Sequence, residues 1–301
     1  MSYRFYTADV FTDAMFGGNQ LAVLPDARGL TAGQMLAITR EFNYSESTFV
    51  LPPERGGTRR VRIFTPGAEV PFAGHPTVGT AHVLAAVGEI PLDGAETRIV
   101  LEEGVGDVPV VIRAEGGRPR FAQLSVAKLP EHTPLDLPAD ALADVLSLAP
   151  DDLVGGPFAP ETVSCGLPFL FVAVKSRDAV RRARIRMDTW DRTLRGTPAS
   201  EVMVFAMDPE ARDADVRARV FVPGLNVPED PATGSACAAL GGYLAARTPR
   251  DGATLRWVVE QGVEMGRPSR IEIEVDKRGG RPTAVRVGGG SVLVSEGTLH
   301  V

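Results

Sequence analysis

Hydrophobic and polar residues alternate along Tyr3–Val10, which predicts a strand. A glycine turn, Phe16-Gly17-Gly18-Asn19-Gln20, and a short apolar strand, Leu21–Leu24, follow. The period then lengthens. Met35, Ile38 and Phe42 recur at helical spacing, and Thr31 with Gln34 three residues on forms a capping-box start, so a helix is predicted over Thr31–Phe42. Ser47–Leu51 is β-branched and aromatic and is stopped by Pro52-Pro53, which predicts another strand, with Arg60–Thr65 the next. After a proline-rich turn, Thr77–Val87 reads as a helix of small residues, suited to enclosure by sheet. Strands are predicted at Thr97–Leu101, Val108–Arg113 and Phe121–Val126, so that helix is expected inside a curled sheet, and Lys128–Pro138 reads as a linker. The second half repeats the plan. Its strands are predicted at Gly166–Lys175, Val202–Met207 and Ala218–Val222, followed by a helix starting near Asp230 and strands at Trp257–Gln261, Ile271–Asp276, Ala284–Val287 and Val292–Val294.

The repetition is also visible residue by residue. Pro71–Thr80 returns as Pro228–Ser235, with His75-Pro76 over Asp230-Pro231 and Gly79-Thr80 over Gly234-Ser235, an offset of 155. Upstream, Arg62–Gly67 returns as Arg219–Gly224 at an offset of 157, so two residues are counted as lost from the second copy. Ser45-Glu46 and Ser200-Glu201, each before an apolar run, match at 155 again. Two homologous halves with a site between them are expected, in an α+β fold of two pseudo-symmetric domains.

A length of 301 residues exceeds what one core usually holds and agrees with two domains. A net charge of −6 without a long basic run lacks the footprint of a nucleic-acid binder, which leaves small-molecule chemistry as the expectation. There is no apolar run of membrane-span length and no signal-peptide core near the N-terminus, so a cytoplasmic protein is expected. Cys165 and Cys237 make neither a zinc set nor a disulfide framework and are expected to be reduced.

Each copy of the repeated turn places proline, glycine and a hydroxyl residue where a strand hands over to a helix. Two such helix N-termini facing one cleft would bind an anionic group such as a carboxylate, with Thr80 and Ser235 adding hydroxyl donors. Taken singly, Asp230 reads as a helix cap and His75 as a turn filler; the second copy is what raises them to candidates. Asn43-x-x-Glu46 has capping-box spacing, but a strand follows it, so Glu46 is expected to face the cleft and to act as a general base that returns its proton. Glu201 is expected at a solvated strand end. His75 and His82 lack evident metal co-ligands, Lys128, Lys175 and Lys277 lie in no cofactor motif, and no dinucleotide or phosphate loop is present, so neither metal nor cofactor is expected.

With these blocks in order, together with Gly18-Asn19, Asn43–Leu51, Glu229–Ala236 and Gln261–Pro268, the chain resembles the PhzF-like isomerases of phenazine biosynthesis over nearly its whole length. They are related in fold to diaminopimelate epimerase and proline racemase. The resemblance implies that each half is a β-barrel closed around a central helix. Residues 1–127 with about 288–301 would form one domain and 128–287 the other, in a cofactor-free homodimer. It implies Glu46 as catalytic glutamate with His75 and Asp230 beside it, and Asn19, Ser45, Gly74, Gly234 and Ser235 as further active-site positions. The implied reaction is isomerisation of trans-2,3-dihydro-3-hydroxyanthranilate, with Glu46 removing the C3 proton and a proton delivered at C1. His75 and Asp230 would steer the amino and hydroxyl groups, and the helix N-termini would hold the carboxylate. The alternatives are an amino-acid racemase, for which Cys165 and Cys237 do not fill the two-thiol pattern, and a non-catalytic binding protein.

Overall fold

The computed structural model describes residues 1–225 and 227–301, and the chain divides into two compact units, Met1–Ala127 with Val287–Val301, and Lys128–Arg286. The first unit contains β1 (Ser2–Val10), β2 (Asn19–Leu24), β3 (Glu46–Leu51), β4 (Arg59–Phe64), β5 (Glu69–Val70), β6 (Glu96–Glu103), β7 (Gly106–Glu115), β8 (Arg118–Ser125) and the C-terminal strand Ser291–His300. The C-terminal strand pairs antiparallel with β1, and β1 with β2. β2 runs parallel to β3 and β4 parallel to β6, while β3–β4 and β6–β7–β8 are antiparallel. The helix α1 (Ala32–Phe42) opens with the predicted capping box: the Thr31 hydroxyl accepts from the Gln34 N–H at 3.3 Å and the Gln34 side chain accepts from the Thr31 N–H at 2.9 Å. Its Met35 and Ile38 cover Leu24, Phe49 and Phe64 on one face of the sheet. Each such side chain taken from water stabilises the fold by roughly 1.5–3 kcal/mol.

The other face curls around α2 (Gly74–Ala86), which lies against β1, β2, β3, β7, β8 and the C-terminal strand and is buried from Gly74 to Ala85. A helix enclosed on all sides needs small residues at its closest approaches. At Gly79 a Cβ would stand 2.5 Å from Val10 Cγ2 and 2.6 Å from Leu21 Cδ2. The helix begins three residues before the predicted Thr77, which takes Pro76 into the first turn, where a missing N–H costs nothing. Thr80 is therefore not a donor at the helix start. Its hydroxyl lies one and a half turns inside, hydrogen-bonded to the Thr48 hydroxyl at 2.8 Å in the core.

The second unit repeats this plan with β9 (Glu131–Pro134), β10 (Glu161–Ser164), β11 (Pro168–Ala173), β12 (Val202–Ala206), β13 (Val216–Val222), β14 (Val227–Asp230), β15 (Ala253–Gln261), β16 (Ser269–Arg278) and β17 (Arg281–Gly289, its last three residues in the first unit). Part of the predicted linker is structured, since Glu131–Pro134 pairs antiparallel with β10. Three short helices that the periodicity does not announce, α3 (Ala139–Val145), α4 (Arg177–Arg182) and α5 (Met187–Thr193), shield the outer face of the sheet. Leu142, Val145, Trp190 and Leu194 pack there with Leu170, Val172, Val202, Val204 and Phe221. The enclosed helix is α6 (Gly234–Arg247), against β10, β11, β15 and β16.

Strand pairing fixes how the two copies correspond. Ser47 pairs with Phe64 and Val202 with Phe221, so Glu46 matches Glu201 as read from the sequence. Ile63 pairs with Val70, whereas Val220 pairs with Asp230. Arg62–Gly67 keeps its 157-residue offset, and the offset after it becomes 160. The second copy has therefore gained three residues in the β13–β14 turn instead of losing two. Asp230 is the counterpart of Val70, and the counterpart of His75 is Ser235, since α2 and α6 begin at Gly74 and Gly234. An ion pair confirms the register: Arg62 holds Glu69, and Arg219 holds Glu229.

Candidate active site

In the first unit three of the predicted side chains meet. Gly18 has φ +60°, and a Cβ on it would stand 2.2 Å from the Val10 carbonyl oxygen; only glycine allows the loop to close on β1 and deliver Asn19 as the first residue of β2. Glu46 opens β3, opposite Leu21 of β2, with Ser45 just before it. Gly74 and His75 form the start of α2, where Ala73 is the N-cap and supplies no side-chain cap. Asn19 Nδ2 lies 3.2 Å from His75 Nδ1, within hydrogen-bond distance, and His75 Nε2 lies 3.5 Å from Glu46 Oε2.

Burial lowers the His75 pKa to about 3, against a smaller upward pull from a hydrogen bond with the Gln20 backbone. The ring is thus neutral across the ordinary pH range. The hydrogen bond to the Gln20 backbone uses the one proton of the neutral ring, and Nε2, which faces the Glu46 carboxylate, makes no hydrogen bond. The 3.5 Å separation lies beyond a tight hydrogen bond. The Glu46 side chain keeps 18 % of its exposure, enough to be reached from solvent.

In the second unit Asp230 ends β14 and is buried; its Oδ2 accepts from the Thr233 hydroxyl at 2.5 Å. Buried Gln261 clamps the same turn. Its Nε2 donates to the Asp230 carbonyl at 2.7 Å and its Oε1 accepts from the Thr233 N–H at 3.2 Å. Gly234 and Ser235 are the first two residues of α6, directly after this turn. Arg219, 3 % exposed, grips Glu229 through two 2.7 Å hydrogen bonds and fixes the strand that carries Asp230. Sequence reasoning left Thr233 out and met Gln261 only inside a longer block. The signal for Gln261 was faint: Glu103-Gly104 and Gln261-Gly262 stand at the ends of the corresponding strands β6 and β15, 158 residues apart.

Glu201 is not at a solvated strand end. It is buried, accepts from the Ser200 hydroxyl at 3.0 Å, and lies so close to Gly224 that a Cβ there would stand 2.2 Å from its Oε1. Burial raises its pKa, with the Ser200 hydroxyl and the Gly224 backbone pulling the other way. Cys165 and Cys237 are buried as well. Burial pushes the Cys165 thiol up to about 12 and the Cys237 thiol further, so neither is a ready thiolate.

Residues 8–297 match the family model described as phenazine biosynthesis-like protein, PhzC-PhzF. The chain belongs to this family. An uncharacterized isomerase of Mesorhizobium japonicum is 40% identical over 301 residues, covering 97% of each chain. The trans-2,3-dihydro-3-hydroxyanthranilate isomerase of Pseudomonas aeruginosa is 35% identical over 303 residues, covering 99% of this chain and 100% of its own. The crystal structure of a PhzF-family phenazine biosynthesis protein from Bacillus anthracis superposes over 100% of both chains with a TM-score of 0.90 at 25% identity. The PhzF chain described here is accordingly an isomerase with the α+β, diaminopimelate epimerase-like fold. Among the described residues, no helix is long and apolar enough to cross a membrane, and no three His, Cys, Asp or Glu side chains are placed to hold a metal ion.

Proposed function

We propose that this PhzF-family isomerase moves a proton within a small cyclic or amino-carboxylate substrate, with trans-2,3-dihydro-3-hydroxyanthranilate the foremost candidate, and that Glu46 is the base. The observation that carries the reading is the Glu46 carboxylate beside a neutral, buried His75 whose other ring nitrogen lies within hydrogen-bond distance of Asn19. A carboxylate so placed takes the proton from C3 and can return it at C1, beside an imidazole that stays neutral. Asp230, made rigid by Thr233 and Gln261, is assigned to a polar substituent of the substrate. The substrate carboxylate is assigned to the N–H groups at the start of α2, and Ser45, Gly74, Gly234 and Ser235 are proposed as further binding positions. The 35%-identical Pseudomonas aeruginosa relative supports this substrate. A racemase using two thiols is disfavoured by the burial of both cysteines.

Incubation with trans-2,3-dihydro-3-hydroxyanthranilate in D2O tests the reading. The wild type should consume substrate and incorporate deuterium, and Glu46→Gln should lose about 10²–10⁴-fold in both, the usual worth of a general base. Turnover that survives in Glu46→Gln would remove Glu46 from the role. No turnover by the wild type would remove this substrate and direct the search to other small carboxylates.

A further inference from the structure

Directly beneath the start of α2 stands a second carboxyl group, Glu103, 4 % exposed, at the end of β6. Its Oε1 is 2.7 Å from the Thr77 hydroxyl, and that hydroxyl is also 2.8 Å from the Ala73 carbonyl oxygen. A threonine hydroxyl carries one proton, and a carbonyl oxygen can only accept. An ionised Glu103 and the Ala73 carbonyl therefore compete for the one Thr77 proton, and both contacts are full hydrogen bonds only when Glu103 carries a proton and donates it to the hydroxyl. The other oxygen, Oε2, is buried with no hydrogen-bond partner, which a neutral carbonyl oxygen tolerates far better than half of a carboxylate.

The second unit supplies an internal comparison. Arg60 pairs with Glu102 where Arg217 pairs with Glu260, so the next residues, Glu103 and Gln261, are counterparts. Gln261 is a neutral amide, and its N–H group donates to the Thr233 hydroxyl at 3.0 Å beneath the start of α6. A protonated carboxyl group in the first unit has the same shape and the same donor.

We propose that Glu103 is a neutral acid that positions the Ala73-Gly74-His75 turn through Thr77, and that its ionisation loosens the turn. The functional part of this proposal rests on the assignment of His75 to the isomerase site. Elements around Glu103 carry charges that are engaged elsewhere. On β6, Glu102 accepts the N–H groups of Glu54, Arg55 and Gly57. Asp107 of β7 pairs with Arg55, Arg60 of β4 with Glu54, and Glu69 of β5 with Arg62; Arg59 of β4 reaches Glu89. On α2, His75 and His82 are both neutral through burial. No ion pair to Glu103 is formed among the described residues, and burial raises its pKa to about 8.

The proton can be seen without any substrate. Infrared difference spectra of the full chain, wild type minus Glu103→Gln, should contain a protonated-carboxyl C=O band near neutral pH that disappears as pH rises through about 8. Absence of that band at pH 6 would overturn the assignment, whatever the variant's stability. The His75 ring resonances should shift over the same pH range in the wild type and not in Glu103→Gln; equal behaviour in both would overturn the positioning role. With turnover as readout, kcat/KM of the wild type should fall about tenfold by one pH unit above the midpoint, and Glu103→Gln should flatten that limb. The same alkaline fall in the variant would likewise sink the proposal. If the wild type turns over no substrate, the reaction assignment fails, and the infrared and ring-resonance results still decide the case of Glu103.

Discussion

The duplicated ion pair offers a controlled measurement of what burial does to one interaction, because Arg62–Glu69 and Arg219–Glu229 occupy matching places on β4–β5 and β13–β14. Both arginines also stack over a phenylalanine ring, Arg62 over Phe64 at 5.1 Å and Arg219 over Phe221 at 4.9 Å. Replacing either with methionine keeps an apolar stem and removes the charge. At Arg62 the abandoned Glu69 is 42 % exposed and water can solvate it, so the expected loss is about 0–1 kcal/mol. At Arg219 the abandoned Glu229 is only 17 % exposed, and the carbonyls of Val180, Arg181 and Ala183 at the end of α4 lose their shared donor. Breaking such a buried pair costs about 3–5 kcal/mol. With a urea slope of about 3 kcal/mol per molar, Arg219→Met should lower the unfolding midpoint by about 1–1.7 M and Arg62→Met by at most about 0.3 M. Trp190 and Trp257 both lie in the second unit, so their fluorescence reads the Arg219 variant, and far-UV circular dichroism reads both. Equal midpoint shifts, or a larger one for Arg62→Met, would refute the argument that burial separates the two pairs.

Two further outcomes follow from local geometry. Native protein should resist a thiol-labelling reagent at both Cys165 and Cys237 and take up two labels only after denaturation; rapid labelling of the native chain would contradict their burial and reopen the two-thiol reading. Gly262→Ala should destabilise by about 2–5 kcal/mol, because φ is +75° and the new Cβ would stand 2.4 Å from the Arg267 and 2.5 Å from the Pro231 carbonyl oxygens. Gly266→Ala, at φ +71° with open space around it, should lose only about 1–2 kcal/mol in the same thermal melt.

Long periodic segments were legible in the sequence, and short or charged ones were not. The α1 helix is written in its capping box and apolar spacing, and β1 to β4 in alternation and proline boundaries. α3, α4 and α5 have 7, 6 and 7 residues, too few turns to show a period, and only tertiary packing makes such short helices stable. Glu46 could be named as a candidate because it breaks a capping pattern and His75 because its turn is repeated, whereas Asn19 was reached only through the family resemblance. Buried Glu103 and Glu201 look in the sequence like ordinary strand-end charges, since burial of a carboxyl group is decided by what folds over it. The repeated turn went wrong in an instructive way. Its prolines and glycines recur often enough that an offset of 155 and one of 160 both match several residues, and the pairing of Val220 with Asp230, the helix starts and the repeated ion pair select the second.

That register changes what the duplication means. Under the sequence alignment His75 and Asp230 were mates, which suggests two copies of one device. The strand pairing instead sets a titratable side chain at the second helical residue of α2 against Ser235 on α6, and sets Asp230 on β14 against apolar Val70 on β5. The two glutamates that do correspond have also diverged. Glu46 lies beside the neutral His75 ring, while Glu201 is enclosed with Ser200 and Gly224 and has a buried Oε2 without a hydrogen-bond partner. Glu201 has no imidazole at the matching helical position, so the second copy cannot repeat the proposed Glu46 chemistry. Both units have kept the same plan and their side chains have diverged, as the proposed transfer of a proton between two inequivalent carbons of one substrate would require.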